Sequence, residues 1–189
     1  MYRRYQRPFY QDPLFVLIGL NVVFFLLTTG SDALLVRLAI SPATFLSEPW
    51  TAVTSMFVHA GLSHLLFNML ALYFFGNYLS QIVGERQMLA IYFVGGIVGS
   101  LFFWILGPSN GLAVGASGAI FALGGALAVL RPMTKVIIFP IPIPLPLWVA
   151  VIGGGLLISL AANVAWESHL GGLVTGIAAG LVNRSRLRL

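Results

Sequence analysis

Long apolar segments dominate this chain and leave few architectures open to it. A helix needs roughly 20 apolar residues to cross a bilayer core that is about 30 Å thick. Turn-forming residues, such as the run Gly107-Pro108-Ser109-Asn110-Gly111, separate the apolar segments from one another. We predict six transmembrane spans, at about residues 13–30, 58–81, 87–107, 113–131, 146–163 and 166–183. The expected fold is therefore an all-α membrane protein, with residues 1–189 forming a single six-helix domain.

The charged residues are too few to coat a surface that faces water. They make up 8% of the chain, against 59% hydrophobic residues, whereas a soluble domain carries about 25% charged residues. A net charge of +5 would suggest nucleic-acid binding in a soluble protein, but here we interpret it as a topology signal and expect no nucleic-acid partner. The chain has no cysteine, which excludes a disulfide framework and a thiolate metal site.

The basic residues fall on alternating connectors between the predicted spans. Nine of the ten lie before span one or after spans two, four and six, and Arg37 alone lies on the other side. By the positive-inside rule, both termini are expected in the cytoplasm and the connector 31–57 outside. The first span lacks a following small-residue cleavage site, so we expect a retained helix rather than a signal peptide. The segment 139–146 alternates proline with apolar residues, which predicts an extended interfacial connector.

Two polar residues on different spans are expected at nearly the same depth. Ser117 lies 14 residues before Arg131, which is about 21 Å of helix at 1.5 Å per residue. His169 lies 15 residues before Arg184, which is about 22 Å at the same rise. Both distances are counted from the cytoplasmic side, so the serine and the histidine should meet in the outer half of the membrane.

Span two adds further polar residues at about this level. Asn68 lies 16 residues before Gly84, or about 24 Å of helix, which puts it slightly nearer the outside. His64 is one turn further out on the same face, and His59 lies just above it.

Each of these residues also has a structural interpretation. A serine in a transmembrane helix commonly bonds its own i−4 carbonyl or packs at a small-residue interface. Histidine within a span is costly and favours a functional role. Two histidines and one amide would make a poor zinc site, and no Asp lies within a span to complete one. We therefore expect no metal and no cofactor.

The alternative is nucleophilic catalysis. A histidine base can take the proton of a serine hydroxyl, and hydrogen-bond donors then stabilise the oxyanion that forms. His169 is placed to activate Ser117, while the Asn68 amide, the His64 ring and the backbone N–H of Ser117 are candidate oxyanion donors. Gly115 and Gly118 allow close approach of the backbone. No acidic residue lies at the same depth, so a Ser-His dyad is expected rather than a triad.

This set of residues resembles the rhomboid family of intramembrane serine proteases. Three motifs carry the resemblance, and they occur on the expected spans in the family's order: HLLFN at 64–68, GASG at 115–118 and HLGGLVTG at 169–176. Each motif is weak alone, but the likeness extends over about residues 13 to 183. The histidine that precedes the first motif in the family corresponds to His59.

The resemblance implies a function and a role for each residue. Ser117 would be the nucleophile, His169 the general base, and His64 and Asn68 parts of the oxyanion hole. The substrates would be single-span membrane proteins, cleaved near the outer face and entering past span five. The family likeness and the compact chain together suggest a prokaryotic plasma membrane. Gly172, Gly176 and Gly180 recur every four residues and predict close packing of span six on span four.

The chain departs from the family pattern at two positions. The Trp-Arg pair that is common in the first outer loop is Trp50-Thr51 here, which removes any anchoring role of the arginine. The aromatic residue one turn after the serine, often Tyr, is Phe121, which can stack on His169 but has no hydroxyl.

Two other function classes predict residues that differ from those in this chain. A catalytically inactive relative that binds membrane proteins would be expected to lack the serine or the histidine, and this chain has both. A small transporter would favour charged residues within the spans, and Asp, Lys and Arg occur only near the span ends.

Overall fold

The computed structural model describes residues 8–138, 141–159 and 164–187 of the chain. Within these ranges the fold is mostly helical, with one small hairpin. The helices are α1 (Pro13–Thr29), α2 (Asp32–Leu38), α3 (Thr51–Thr54), α4 (Leu62–Val83), α5 (Glu85–Leu106), α6 (Ser117–Leu130), α7 (Leu147–Ser159) and α8 (Trp166–Leu187). The strands are β1 (Lys135–Ile138) and β2 (Ile141–Pro146), and short 3₁₀ turns occupy Phe9–Gln11 and Ser55–Phe57.

Local sequence explains where several helices begin and end. Asp12 caps α1 by accepting a hydrogen bond from the backbone N–H of Leu14 at 2.9 Å, and Pro13 occupies the first helical position. Gly84 ends α4 with a φ of +88°, a left-handed conformation that favours glycine, and α5 starts at the next residue.

The six predicted spans each contain a helix, but some boundaries differ, and α8 continues to Leu187, past the expected end at 183. The second was expected at 58 and begins at Leu62, because residues 58–61 form an irregular turn. The fourth was expected at 113 and begins at Ser117, because Ala113 is bridged to Ile40 in extended conformation. The expected end of the fifth, residues 160–163, lies outside the described residues.

The all-α expectation is wrong at one place, since β1 and β2 pair antiparallel, with Lys135 opposite Pro146. The alternating prolines prevent a helix here, and extended backbone in β2 agrees with the predicted connector. Residues 139 and 140 of that connector lie outside the described residues. The connector 31–57 also contains α2 and α3, which no pattern in the sequence predicted.

Helix α6 lies at the centre of the fold. Most of its residues are buried, and it packs on α4, α5, α7 and α8, with α8 its most extensive partner. The predicted glycine stripe makes that contact: a Cβ on Gly172 would overlap the carbonyl oxygen of Gly118, and one on Gly176 would overlap that of Ala122. The two backbones therefore touch, as small-residue stripes allow in membrane proteins.

Two of the described helices, α4 and α5, are long and apolar enough to cross a membrane on length and composition, while α1 and α6 are apolar but shorter. The outward side of α4 is itself apolar, with Phe67 and Phe74 exposed. Such a face suits contact with lipid, as a helix in a bilayer requires.

Candidate active site

Ser117 and His169 are in direct contact. Ser117 is the first residue of α6, and His169 lies in the first turn of α8. The ring Nε2 of His169 is 2.9 Å from the Ser117 hydroxyl oxygen, which is hydrogen-bond distance. Gly118 packs against the carbonyl of Ser168, so the close contact of the two helices holds this pair together.

Two further residues fix the orientation of the His169 ring. Phe121, one turn after Ser117, stacks on it with ring centroids 4.3 Å apart and an interplanar angle of 24°. The hydroxyl oxygen of Ser159, the last described residue of α7, lies 3.2 Å from the other ring nitrogen, Nδ1. Both ring nitrogens and one ring face of this buried histidine are therefore occupied by named partners.

Sequence reasoning missed Ser159. The only signal was that a polar residue interrupts an otherwise apolar predicted span, ten positions before His169. A serine in a span is so often structural that this signal could not have assigned a contact.

The segment before Ser117 is held by backbone hydrogen bonds. Ala113 and Ile40 exchange two of them, at 2.9 and 3.0 Å, and the N–H of Gly115 donates to the Ser55 carbonyl at 2.9 Å. Gly115 has a φ of +124°, in the region that L side chains rarely adopt. This segment leads directly into Ser117, the first residue of α6. At this end of a helix, the first backbone N–H groups have no carbonyl partner within the helix.

His64 lies on the other side of this segment. A Cβ on Gly115 would be 2.8 Å from Cε1 and Nε2 of the His64 ring, so the bare glycine backbone allows the ring to approach. The N–H of Ala60 donates to Nδ1 of His64 at 3.4 Å. A neutral His64 with Nδ1 as acceptor carries its proton on Nε2, the nitrogen that faces Gly115.

Asn68 and His59 lie around His64 without contacting Ser117. Asn68 is buried, and its amide donates to the His64 carbonyl at 2.8 Å within α4. The His59 ring packs edge-on against His64, with centroids 5.1 Å apart. Its Nδ1 lies 3.3 Å from the Phe57 carbonyl, and its buried Nε2 has no hydrogen-bond partner. These contacts suit a supporting role for His59 beside the His64 ring.

A small cavity lies beside Ser117. Three other serines, Ser55, Ser100 and Ser168, contribute to its lining together with Gly115 and Gly118. Ser100 donates to the Ala52 carbonyl at 3.0 Å, which links α5 to the short helix α3. Among the described residues, no group of three His, Cys, Asp or Glu side chains could hold a metal ion.

Comparison with known proteins decides the family. Residues 46–186, which include all the site residues above, match the Rhomboid domain. The chain belongs to the rhomboid family. As a rhomboid, it is an integral membrane protein, and the resemblance inferred from its three motifs is confirmed.

Similar proteins include Rhomboid protein 1, mitochondrial, of Saccharomyces cerevisiae, which is 31% identical over 88% of this chain and 52% of its own length. Rhomboid protease GluP of Bacillus subtilis is 34% identical over 70% of this chain and 25% of its own. Inactive RHOMBOID-like protein 8 of Arabidopsis thaliana is 40% identical over 42% and 22%. This rhomboid thus spans about half, or less, of the length of these relatives, which come from mitochondria as well as bacteria.

The connector 31–57 of this rhomboid is anchored without the arginine of the Trp-Arg pair that is common in the family. Thr51, which stands in its place, is buried and donates to the Glu48 carbonyl at 2.6 Å. Thr54 donates to the Leu38 carbonyl at 2.9 Å, which ties α3 to the end of α2. The threonines and Ser100 therefore hold the loop through backbone carbonyls.

Replacement of Gly115 by Ala should impair the site more than it impairs the fold. The new Cβ would press on the His64 ring, and the positive φ would cost roughly 1–2 kcal/mol of strain. For the peptidase activity proposed below, we expect the rate to fall about 10²-fold, the loss typical of one displaced oxyanion donor. Gly84→Ala is the matched control, because Gly84 has a positive φ but open space around it. Equal rates for the two variants, corrected for folded protein, would contradict a role for this close approach.

Proposed function

We propose that this rhomboid is an intramembrane serine endopeptidase that cleaves single-span membrane proteins near the outer face. The observation that carries the proposal is the 2.9 Å hydrogen bond between His169 Nε2 and the Ser117 hydroxyl. A buried serine with a histidine on its oxygen is the arrangement that activates a nucleophile. An inactive relative also occurs among the similar proteins, so activity is the point to test.

The proposed reaction passes through an acyl-enzyme. His169 Nε2 takes the hydroxyl proton as the Ser117 oxygen adds to the carbonyl carbon of the scissile bond. The tetrahedral intermediate then expels the amine product, which receives the proton from His169. Water next gives a proton to His169 and attacks the ester, which releases the carboxyl product and restores Ser117.

The oxyanion would be held by donors that face the Ser117 hydroxyl from two elements. The backbone N–H groups at the start of α6 lie at the positive end of the helix dipole. From α4, the His64 ring can offer its Nε2–H across Gly115. The Asn68 amide has one N–H committed to the His64 carbonyl and a second that is available for substrate.

The proposed topology has six spans with both termini in the cytoplasm, as the distribution of basic residues predicts. In this orientation Ser117 lies in the outer half of the bilayer, with the connector 31–57 above it. Substrate would enter between α7 and its neighbours, and the membrane would be a prokaryotic plasma membrane.

The test is activity-based labelling with substrate cleavage. The purified protein, reconstituted in liposomes, is incubated with a panel of tagged single-span proteins, with and without a fluorophosphonate. We expect cleavage near the outer end of a substrate span, and the inhibitor should block it while forming an adduct on Ser117 that mass spectrometry maps. Cleavage that continues with Ser117 fully modified, or no cleavage of any substrate, would overturn the proposal in favour of an inactive binding protein.

A further inference from the structure

We infer that Ser159 is a positioning residue for the catalytic base, so that the working unit is a chain of three side chains, Ser117, His169 and Ser159. The inference rests on the proposed protease function, which assigns the base to His169. It adds a residue from a third helix, α7, to the pair supplied by α6 and α8.

The first support is geometry. The Ser159 hydroxyl oxygen lies 3.2 Å from His169 Nδ1, on the side of the ring opposite the nitrogen that meets Ser117. Gly155 lies one turn earlier on the same face of α7, and a Cβ there would press on the Phe121 ring. Because Phe121 itself stacks on His169, one face of α7 contacts the base directly through Ser159 and indirectly through Phe121.

The second support is the tautomer that His169 needs in order to act as a base. His169 acts as a base through Nε2 only when that nitrogen carries no proton, so the neutral ring must carry its proton on Nδ1. An N–H at Nδ1 needs an acceptor, and the Ser159 oxygen lies at hydrogen-bond distance from it. When Nε2 takes the Ser117 proton, the Nδ1–H bond to Ser159 remains and holds the imidazolium in place. Ser159 thus selects the reactive tautomer without changing its own protonation.

A hydroxyl suits this position better than a carboxylate. The third member of a soluble triad is usually an ionised Asp, but a charge within a membrane span is costly. Glu167, which is buried near His169 in the first turn of α8, lies two residues away and so points to a different side of that helix. A neutral hydroxyl oxygen orients the His169 ring with only a small desolvation cost. It stabilises the imidazolium less than an anion would.

Substitution of Ser159 tests the role through turnover. We expect Ser159→Ala to lower kcat by about 3- to 10-fold, the loss of one neutral hydrogen bond, with KM within about twofold of wild type. Ser159→Thr, which retains the hydroxyl, should restore most of the kcat. Ser80→Ala is the matched control, because Ser80 is a half-buried helical serine that bonds only a backbone carbonyl, of Asn77. A kcat for Ser159→Ala equal to that of the control would overturn the inference.

The tautomer of His169 provides a readout that does not need activity. With ¹⁵N-histidine in the Ser117→Ala background, NMR should show His169 mainly protonated on Nδ1, and Ser159→Ala should shift population to the Nε2–H form. The His169→Ala variant assigns the signal among the three histidines. An unchanged tautomer in the Ser159 variant would refute the inference while leaving the protease proposal intact. Failure of wild type to cleave any substrate would instead refute the protease proposal, with the tautomer result still interpretable.

Discussion

Alanine at Ser117 or at His169 is expected to lower the kcat of substrate cleavage by about 10³-fold or more. Ser117→Ala removes the attacking oxygen, and His169→Ala leaves a hydroxyl without a base at hydrogen-bond distance. Because the two groups act in one proton transfer, the double variant should be no slower than the worse single variant. Labelling of Ser117 by a fluorophosphonate should fall with His169→Ala by a comparable factor.

The measurement is the initial rate of product formation in liposomes, normalised to folded protein. Ser185→Ala is the control, because Ser185 is exposed on α8 and its hydroxyl bonds only the Val182 carbonyl. It should cleave at the wild-type rate. If the fold-reductions in kcat of the two single variants multiply in the double variant, the serine and the histidine act independently. That result would contradict a dyad.

Gly172→Ala is expected to have the largest effect on stability. The added Cβ would overlap the carbonyl oxygen of Gly118, a backbone atom that cannot rotate away, so α6 and α8 must separate. Overpacking typically costs 1–3 kcal/mol where side chains can adjust. We therefore expect about 3 kcal/mol or more of unfolding free energy to be lost. Separation of the helices would also pull Ser117 from His169, so activity should fall with stability.

Denaturant titration in mixed micelles measures this loss, and Gly19→Ala is the control. Gly19 lies in the middle of α1 with open space around it, so its substitution should leave the midpoint nearly unchanged. A Gly172 variant as stable as the Gly19 variant would show that the helices repack without strain, and would contradict the contact described for Gly118.

Helix arithmetic predicted much of this site, because depth along a helix depends only on residue count. Counting residues predicted the same membrane depth for Ser117 and His169. It also predicted that His64 lies one helical turn further out than Asn68. Residue count does not give the direction in which a side chain points around its axis. The contact between Ser159 and His169 depends on the tilt and rotation of α7, so no count could have found it.

Non-helical segments were the least predictable part of the fold. Apolar character extended span four back to residue 113, whereas the backbone there is extended, since it pairs with Ile40 far away in sequence. A pairing over that distance leaves no local signal in either segment. The prolines after β1 did exclude a helix, but they did not specify that β2 pairs with β1.

The segment before Ser117 is held by bonds that do not depend on which side chains it carries. Backbone hydrogen bonds join Ile40 to Ala113 and Ser55 to Gly115. Bonds between main-chain atoms survive most exchanges of side chain, provided that the new residue is not proline. Side chains of the connector 31–57 that do not anchor it can therefore change without loss of the backbone hydrogen bonds that hold the segment before Ser117. Under the proposed function, substrate recognition by this connector changes while Ser117 keeps its position.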